Sequence, residues 1–139
     1  MRELTACLDE IGKVAREILN FAKSNGIVLL NGDLASGKTT LVKAMAKELG
    51  YNREVTSPTF SLEHIYSDRL FHYDLYRVDF DDLVSLGLID EFERDGLHFI
   101  EWVDEKLKWL LIEAGFDVVE VDIEIDKECR KYKIERLNA

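Results

Sequence analysis

With 139 residues, 47% hydrophobic and 33% charged, the chain has the composition of one globular domain spanning residues 1–139. A net charge of −10 argues against unaided binding to a nucleic-acid backbone, although it permits a basic protein partner. Without a membrane-length apolar run or a signal-peptide pattern, the protein is expected in the cytoplasm. Its two cysteines, Cys7 and Cys129, form no disulfide framework and suit a reducing compartment.

The first 50 residues predict a helix, a buried strand and a second helix. Apolar residues recur at helical spacing over residues 8–24, from Leu8 to Ala22, and Gly26 is expected to close this helix. The all-apolar run at residues 27–30 predicts a central strand. Residues 38–49 predict the second helix, which Gly50 would end.

Two hairpins and further strand–helix units are predicted in the rest of the chain. Residues 60–66 and 70–77 suit a hairpin, residues 80–95 short helices, residues 98–100 a strand and residues 103–114 a helix. Residues 119–126 and 129–137 predict a final hairpin with an acidic arm and a basic arm, forming a charged sheet edge. Together these units predict a three-layer α/β sandwich with a mixed β-sheet.

Residues 32–39, GDLASGKT, fit the pattern G-x-x-x-x-G-K-[ST] and are called the glycine-rich loop below. Glycines let the backbone amides turn toward phosphate oxygens, and the positive end of the next helix adds to them. Lys38 supplies a cation for the β and γ phosphates, and Thr39 a hydroxyl for magnesium. The pattern predicts a P-loop NTPase-like fold that binds ATP and Mg²⁺ through Gly32, Asp33, Leu34, Ala35, Ser36, Gly37, Lys38, Thr39 and Thr40.

Two acidic residues are candidates for the metal chemistry that phosphoryl transfer needs. Glu101 ends an apolar strand, and Asp74 lies on the polar side of the second hairpin arm. Each has an alternative interpretation as a solvated or ion-paired carboxylate. We expect Thr39, Glu101 and Asp74 at the metal, with Glu101 as the more direct ligand. Lys38, Asp74, Glu101 and Thr59 are the expected catalytic residues.

Thr59 is included because it follows the only proline of the chain, in a segment suited to sensing the γ phosphate. The alternative for this segment is a plain connection between helix and strand. For Trp102, burial statistics favour a core position over a partner contact. The three histidines, His64, His72 and His98, show no ligand spacing and are expected to pack or to lie on polar faces.

Five segments, GDLASGKTTL, SPTFSLEHIY, FHYDLYRV, LGLIDEF and FIEW, resemble the bacterial TsaE (YjeE) ATPases over residues 8–105. The resemblance implies slow ATP hydrolysis and a part in making threonylcarbamoyladenosine, the modified adenosine beside the tRNA anticodon. It also implies work with the proteins TsaD and TsaB, and with tRNA only through that complex. The family's magnesium-associated acids map onto Asp74 and Glu101, its switch onto residues 57–60 and its signature tryptophan onto Trp102.

One departure from the family's usual loop and three competing functions bear on this expectation. Ala35 stands where the family usually has glycine, and a positive φ there would cost about 1 kcal/mol. A small P-loop kinase would be expected to carry an arginine-bearing lid, but no arginine lies between Arg94 and Arg130. A GTPase would carry an Asn-Lys-x-Asp segment, which the sequence lacks. A non-enzymatic subunit that uses ATP only as a clamp stays open.

Overall fold

The computed structural model describes residues 1–22, 25–33, 35–51 and 62–137, which form a mixed seven-stranded sheet between helices. The strands are β1 Arg2–Ala6, β2 Gly26–Asn31, β3 Glu63–Ser67, β4 Leu70–Asp74, β5 Leu97–Glu101, β6 Val118–Asp126 and β7 Cys129–Arg136. A 3₁₀ turn at Leu8–Glu10 precedes the helices α1 Ile11–Phe21, α2 Lys38–Glu48, α3 Phe80–Ser85, α4 Leu88–Glu91 and α5 Glu105–Glu113. The predicted α/β class is confirmed.

The strand order is β1-β7-β6-β2-β5-β4-β3. The four central strands, β6, β2, β5 and β4, pair in parallel, whereas β1–β7, β6–β7 and β3–β4 are antiparallel. Residues 27–30 are fully buried because helices cover both faces of β2, which explains the apolar run that predicted this strand. Parallel pairing also brings the carboxyl ends of β2, β5 and β4 to one level, along the carboxyl-terminal edge of the sheet.

Two hydrophobic clusters on opposite faces of the sheet make the three layers. On one face, α1 and α2 pack against the sheet through residues such as Val14, Ile18 and Met45. On the other face, α3, α4 and α5 contribute residues such as Leu83 and Leu107. In the described residues, none of the helices has the length and apolar character needed to cross a membrane.

The N-terminal part differs from the expectation in three respects. Leu8 lies in the 3₁₀ turn and is 70% exposed, so it does not belong to the buried face of α1. The helix ends at Phe21, and Gly26 opens β2 instead of closing α1. Strand β1 was not anticipated, because within Arg2–Ala6 only Ala6 is buried and the pairing partner lies far along the chain in β7.

The final hairpin is confirmed, but its predicted place at a sheet edge is wrong. Strand β7 is covered by β1, and β6 pairs with β2, so the hairpin lies inside the sheet. Acid does stand opposite base, since Asp122 pairs with Lys133 and Glu124 with Lys131. In the part of the chain that is described, the edges are β1 and β3.

A disulfide joins Cys7 to Cys129, although the two cysteines were expected to form no disulfide framework. Antiparallel pairing places Ala6 of β1 beside Arg130 of β7, so the adjacent cysteines meet with their Cα atoms 4.1 Å apart. Sequence spacing gave no sign of this contact because 122 positions separate the two residues. The bond ties the end of β1 to the start of β7.

Glu63 is a buried carboxyl group within the sheet. It is 1% exposed, and neither of its carboxylate oxygens has a hydrogen-bond partner within the described residues. Burial, followed by the negative charge of Glu91, raises the pKa of Glu63 above its ordinary value. The folded state therefore retains the proton of Glu63 at pH values where the unfolded chain has lost it.

Replacing Glu63 with Gln should stabilise the protein at neutral pH by roughly 1 kcal/mol, because a neutral amide avoids the cost of an ionised buried carboxylate. A raised folded-state pKa means that stability falls as pH rises from about the unfolded value of 4.5 through the folded value. Urea unfolding of wild type and Glu63→Gln between pH 4 and pH 8 should thus show a gap that widens with pH. Glu128→Gln, in the exposed hairpin turn, should show no such gap.

Candidate functional site

The candidate site lies where β2, β5 and β4 end beside the start of α2. Glu101 at the end of β5 is in register with Leu30 of β2 and with Asp74 of β4. The glycine-rich loop connects β2 to α2 at the same edge. Parallel pairing therefore brings together the loop and both acidic residues that the sequence predicts for one site. Ligand sites of α/β proteins generally lie at this place, outside the carboxyl ends of the strands.

The described part of the glycine-rich loop curls through left-handed backbone conformations. Ala35 has φ 65° and Gly37 has φ 102°, on either side of Ser36, whose amide donates to the Asp33 carbonyl oxygen at 3.0 Å. Ala35 therefore has the positive φ that was considered for it from the sequence, and this conformation costs a non-glycine residue about 1 kcal/mol. Such a loop needs other contacts to hold its shape.

Lys38, the first residue of α2, has its side chain folded back into the loop. The residue is 5% exposed, and its Nζ donates to the carbonyl oxygens of Gly32 at 2.5 Å and Asp33 at 3.0 Å. The same atom lies 4.0 Å from the centre of the Trp102 ring, at cation–π distance. Burial lowers the pKa of Lys38, opposed by the negative charges of Glu101, Asp33 and Asp74.

Thr39 and Glu101 form the central contact of the site. The Thr39 hydroxyl donates to Glu101 Oε2 at 2.9 Å, and His72 Nε2 also contacts this oxygen. Glu101 is 3% exposed. Burial by itself would raise the pKa of Glu101, but the hydrogen bond and charge of His72, the Thr39 hydroxyl and the Lys38 charge together hold it below its ordinary value. Glu101 is therefore ionised at neutral pH.

Asp74 stands beside Glu101 on the neighbouring strand and remains half-buried. Its Oδ1 accepts a hydrogen bond from the backbone amide of Tyr76 at 3.1 Å, which fixes the chain as it leaves β4. Its charge acts on Lys38, in the direction that keeps the ammonium protonated. Asp74 is thus within the electrostatic reach of the loop.

Trp102 lines a cleft of about 690 Å³ beside the loop, so the expectation of a core position is wrong. Its backbone is left-handed, with φ 62°, and its ring is 4.9 Å from that of Tyr76. This turn directs the indole away from the buried strand and toward Lys38. Burial statistics failed here because backbone conformation at a strand end, and not hydrophobicity, sets the direction of the side chain.

Sequence reasoning also missed two polar side chains near the site. The sequence predicts His72 as a packing or polar-face residue, yet the structure buries it against Glu101. Asn31, at the end of β2, donates through Nδ2 to Glu120 Oε2 and Asp122 Oδ1, both at 2.9 Å. The alternation of β4 indicated which face His72 takes, but no local pattern connects Asn31 to β6.

The other residues singled out from the sequence are exposed, are packed in the structure, or lie outside the described residues. Thr40 is exposed on the first turn of α2. His98 packs as expected, donating through Nε2 to the Arg94 carbonyl oxygen at 2.7 Å and accepting through Nδ1 from the Tyr73 hydroxyl at 2.8 Å. Leu34, Thr59 and the switch segment at residues 57–60 lie outside the described residues, so their predicted roles stay predictions.

Comparison with known proteins gives the family. Residues 5–134 match the family model described as "Threonylcarbamoyl adenosine biosynthesis protein TsaE". The chain is 36% identical over 124 residues to a Bacillus subtilis "tRNA threonylcarbamoyladenosine biosynthesis protein TsaE", covering 81% of this chain and 78% of that protein. The chain belongs to the TsaE family. The resemblance to this family is thereby confirmed.

Two further TsaE-related proteins extend the match over most of the chain. The TsaE protein of Aquifex aeolicus is 38% identical over 130 residues, covering 89% of this chain and 87% of the relative. A crystal structure of Bacillus subtilis YdiB superposes with a TM-score of 0.65 at 26% identity, covering 99% of this chain and 87% of that one. The fold and the family agreement therefore rest on independent comparisons of structure and sequence.

The close fit of the glycine-rich loop to the sheet gives a prediction about Gly32. A Cβ at this position would lie 2.5 Å from Ser36 Oγ and 2.9 Å from the Ile123 carbonyl oxygen. Gly32→Ala should therefore lower the free energy of unfolding by about 1–3 kcal/mol, measured by urea denaturation.

Gly12→Ala is the matched control for an added methyl group. Gly12 lies in α1, and its nearest neighbours are the flexible side-chain ends of Glu48 and Arg16. This variant should gain roughly 0.5–1 kcal/mol from helix propensity. Equal effects of the two variants would contradict the close approach at Gly32.

Proposed function

We propose that this TsaE-family chain binds ATP with magnesium in the glycine-rich loop and hydrolyses it slowly. The observation that carries the proposal is the contact between Thr39 and Glu101, made at 2.9 Å beside the Lys38 ammonium. A hydroxyl, an ionised carboxylate and a buried cation at one helix N-terminus are the groups that a magnesium-bound triphosphate requires. We also propose that the protein acts in the cytoplasm.

The shape of the loop supports a phosphate ligand. A Cβ at Gly32 would collide with neighbouring atoms, whereas one at Gly37 would meet no atom of the described residues within 4 Å, so the loop is tight against the sheet and open at Gly37. Ser36 Oγ is buried without a hydrogen-bond partner among the described residues. An anion in this cradle would receive backbone N–H groups and would offset the cost of burying Lys38.

The metal-binding part of the proposal fits the donors present. In the residues the structure describes, no cluster of three or more His, Cys, Asp or Glu side chains is arranged to hold a metal ion alone. Magnesium bound with a nucleotide needs only one or two protein oxygens, because phosphates and water complete its octahedron. Thr39 and Glu101 would supply those oxygens directly or through water, and Asp74 would belong to the same water network.

Each residue has a distinct role in the proposed hydrolysis. Lys38 and the loop amides neutralise negative charge on the phosphates as it develops. Thr39 and Glu101 would hold the magnesium, which would withdraw charge from the phosphates. Asp74 or Thr59 orients the attacking water. His72 keeps Glu101 ionised and in place.

The TsaE family takes part in tRNA threonylcarbamoyladenosine biosynthesis. We propose that ATP binding and hydrolysis drive the cycle of an assembly with TsaB and TsaD, in which the partners carry the tRNA and the transfer chemistry. The net charge of −10 fits this division, because an acidic protein docks on a basic partner more readily than on tRNA itself.

Replacing Lys38 with Ala should abolish ATP binding, because the only cation described inside the loop would be lost. Glu101→Gln should bind ATP at least in part but hydrolyse it at a rate reduced on the order of 100-fold. Binding is measured by calorimetry with magnesium and turnover by phosphate release. Unchanged affinity in Lys38→Ala would refute the assignment of the loop.

Matched controls separate these effects from general loss of charge. Lys43→Ala, on an exposed position of α2, and Glu105→Gln, on an exposed position of α5, should keep both binding and turnover. Competition by GTP and a search for phosphate transfer to small metabolites test the GTPase and kinase alternatives. Retained turnover in Glu101→Gln would transfer the metal role to Asp74.

A pull-down with purified TsaB and TsaD tests the partner proposal. The chain should be retained with ATP and magnesium and lost without them, and Lys38→Ala should be lost in both conditions. Retention should fall steeply between 50 and 500 mM salt, because screening weakens docking between opposite charges. ATP-independent or salt-insensitive retention would contradict the proposed cycle.

A further inference from the structure

Arg130, near the start of β7, is directed at the glycine-rich loop from the far end of the chain. Its Nε donates to the Ser36 carbonyl oxygen at 2.9 Å, and one terminal nitrogen donates to the Ala35 carbonyl oxygen at 3.3 Å. The other terminal nitrogen donates to the carbonyl oxygen of Cys129 at 2.8 Å. All three nitrogens of the guanidinium therefore donate to backbone carbonyl oxygens, and two of these oxygens belong to the loop.

Of these two loop carbonyls, that of Ser36 belongs to a buried residue and needs a partner, whereas Ala35 is exposed. A backbone that turns its amides toward a central anion directs its carbonyl oxygens elsewhere, and a buried carbonyl without a partner costs free energy. Ala35 adds a left-handed conformation that alanine does not favour. A planar guanidinium matches two neighbouring carbonyls with its fixed fork of donors, which an ammonium group cannot do.

Arg130 is itself held on a rigid support. Strand β7 lies between β1 and β6, where Arg130 is in register with Ala6 and with Ile125. The disulfide between Cys7 and Cys129 ties the neighbouring position to the end of β1. The loop is thus braced by two strands, β1 and β7, that contribute no group to the proposed phosphate contacts.

We infer that Arg130 is a positioning residue for the nucleotide: it holds the Ala35 and Ser36 carbonyls so that the loop amides face the triphosphate. The inference rests on the proposed ATP site but concerns a residue outside the nucleotide-binding motif. Arg130 acts through the loop and contacts no reacting atom.

Arg130→Gln should weaken ATP binding about tenfold, since it removes two charge-assisted hydrogen bonds that preorganise the loop. The KM for ATP should rise by the same factor while kcat stays within about twofold, as expected for binding that is uniform between ground and transition states. In the nucleotide-free protein, the Ser36 amide, which donates to Asp33, should exchange its hydrogen faster than in wild type.

Lys131→Gln is the matched control, because Lys131 is the next residue of β7, exposed on the opposite face. It should match wild type in affinity, KM and Ser36 exchange. If Arg130→Gln folds poorly, Arg130→Lys keeps the charge and should lose about threefold in affinity, since it cannot form the fork. Variants at Arg130 that bind ATP as tightly as Lys131→Gln would overturn the inference.

Hydrogen exchange distinguishes failure of this inference from failure of the proposed function. A wild-type protein that does not bind ATP would refute the proposed function, whatever the Ser36 amide does. A wild-type protein that binds ATP, with no change in Ser36 exchange or affinity in Arg130→Gln, would refute only the role of Arg130.

Discussion

The parallel pairing of β2, β5 and β4 is the constraint on which the candidate site depends. Because parallel strands end at one sheet edge, Glu101 and Asp74 reach the same level as the glycine-rich loop that follows β2. The hydrogen bond from Thr39 to Glu101 then fastens α2 to β5. Shifting the β4–β5 register by one residue would turn Asp74 away from the face that Glu101 occupies.

The same strand pairing places groups of opposite charge next to each other in the candidate site. Lys38 and Glu101 are each almost fully buried, and each is costly alone. Their charges offset one another, with Asp33 and Asp74 acting on Lys38 and with His72 acting on Glu101. Glu101 therefore stays ionised at neutral pH, while the acidic neighbours of Lys38 favour its ammonium form against the effect of burial.

Local sequence pattern predicted most of the core elements, because their signals are short-range. The apolar run of β2, the helix of α2 and the break at Gly87 each follow from neighbouring residues. The same is true of the glycine-rich loop, where Ala35, at the position of the family's usual glycine, has a positive φ. The roles of the site residues stay predictions, but the structure brings the described ones to one edge.

What local pattern could not predict depends on contacts between distant parts of the chain. Strand β1 has too few apolar residues to be recognised without β7, and the bond between Cys7 and Cys129 follows from that pairing. The hydrophobicity of Trp102 predicts a core position, but the sequence does not reveal the left-handed backbone that turns its side chain toward the cleft. His72 became a neighbour of Glu101 only through the β4–β5 register.

The residues that local pattern predicts and the residues that distant contacts bring in have different physical roles. The groups proposed to meet the ligand are close in sequence, because a curled loop at a helix start is a local structure that few residue patterns can form. The groups that hold that loop need only donate to carbonyl oxygens that point away from the ligand, and any neighbouring strand can supply such donors. Arg130 does so from 94 positions after Ser36. A motif therefore specifies the contact surface of a site, while the tertiary fold supplies the stiffness that makes the surface bind.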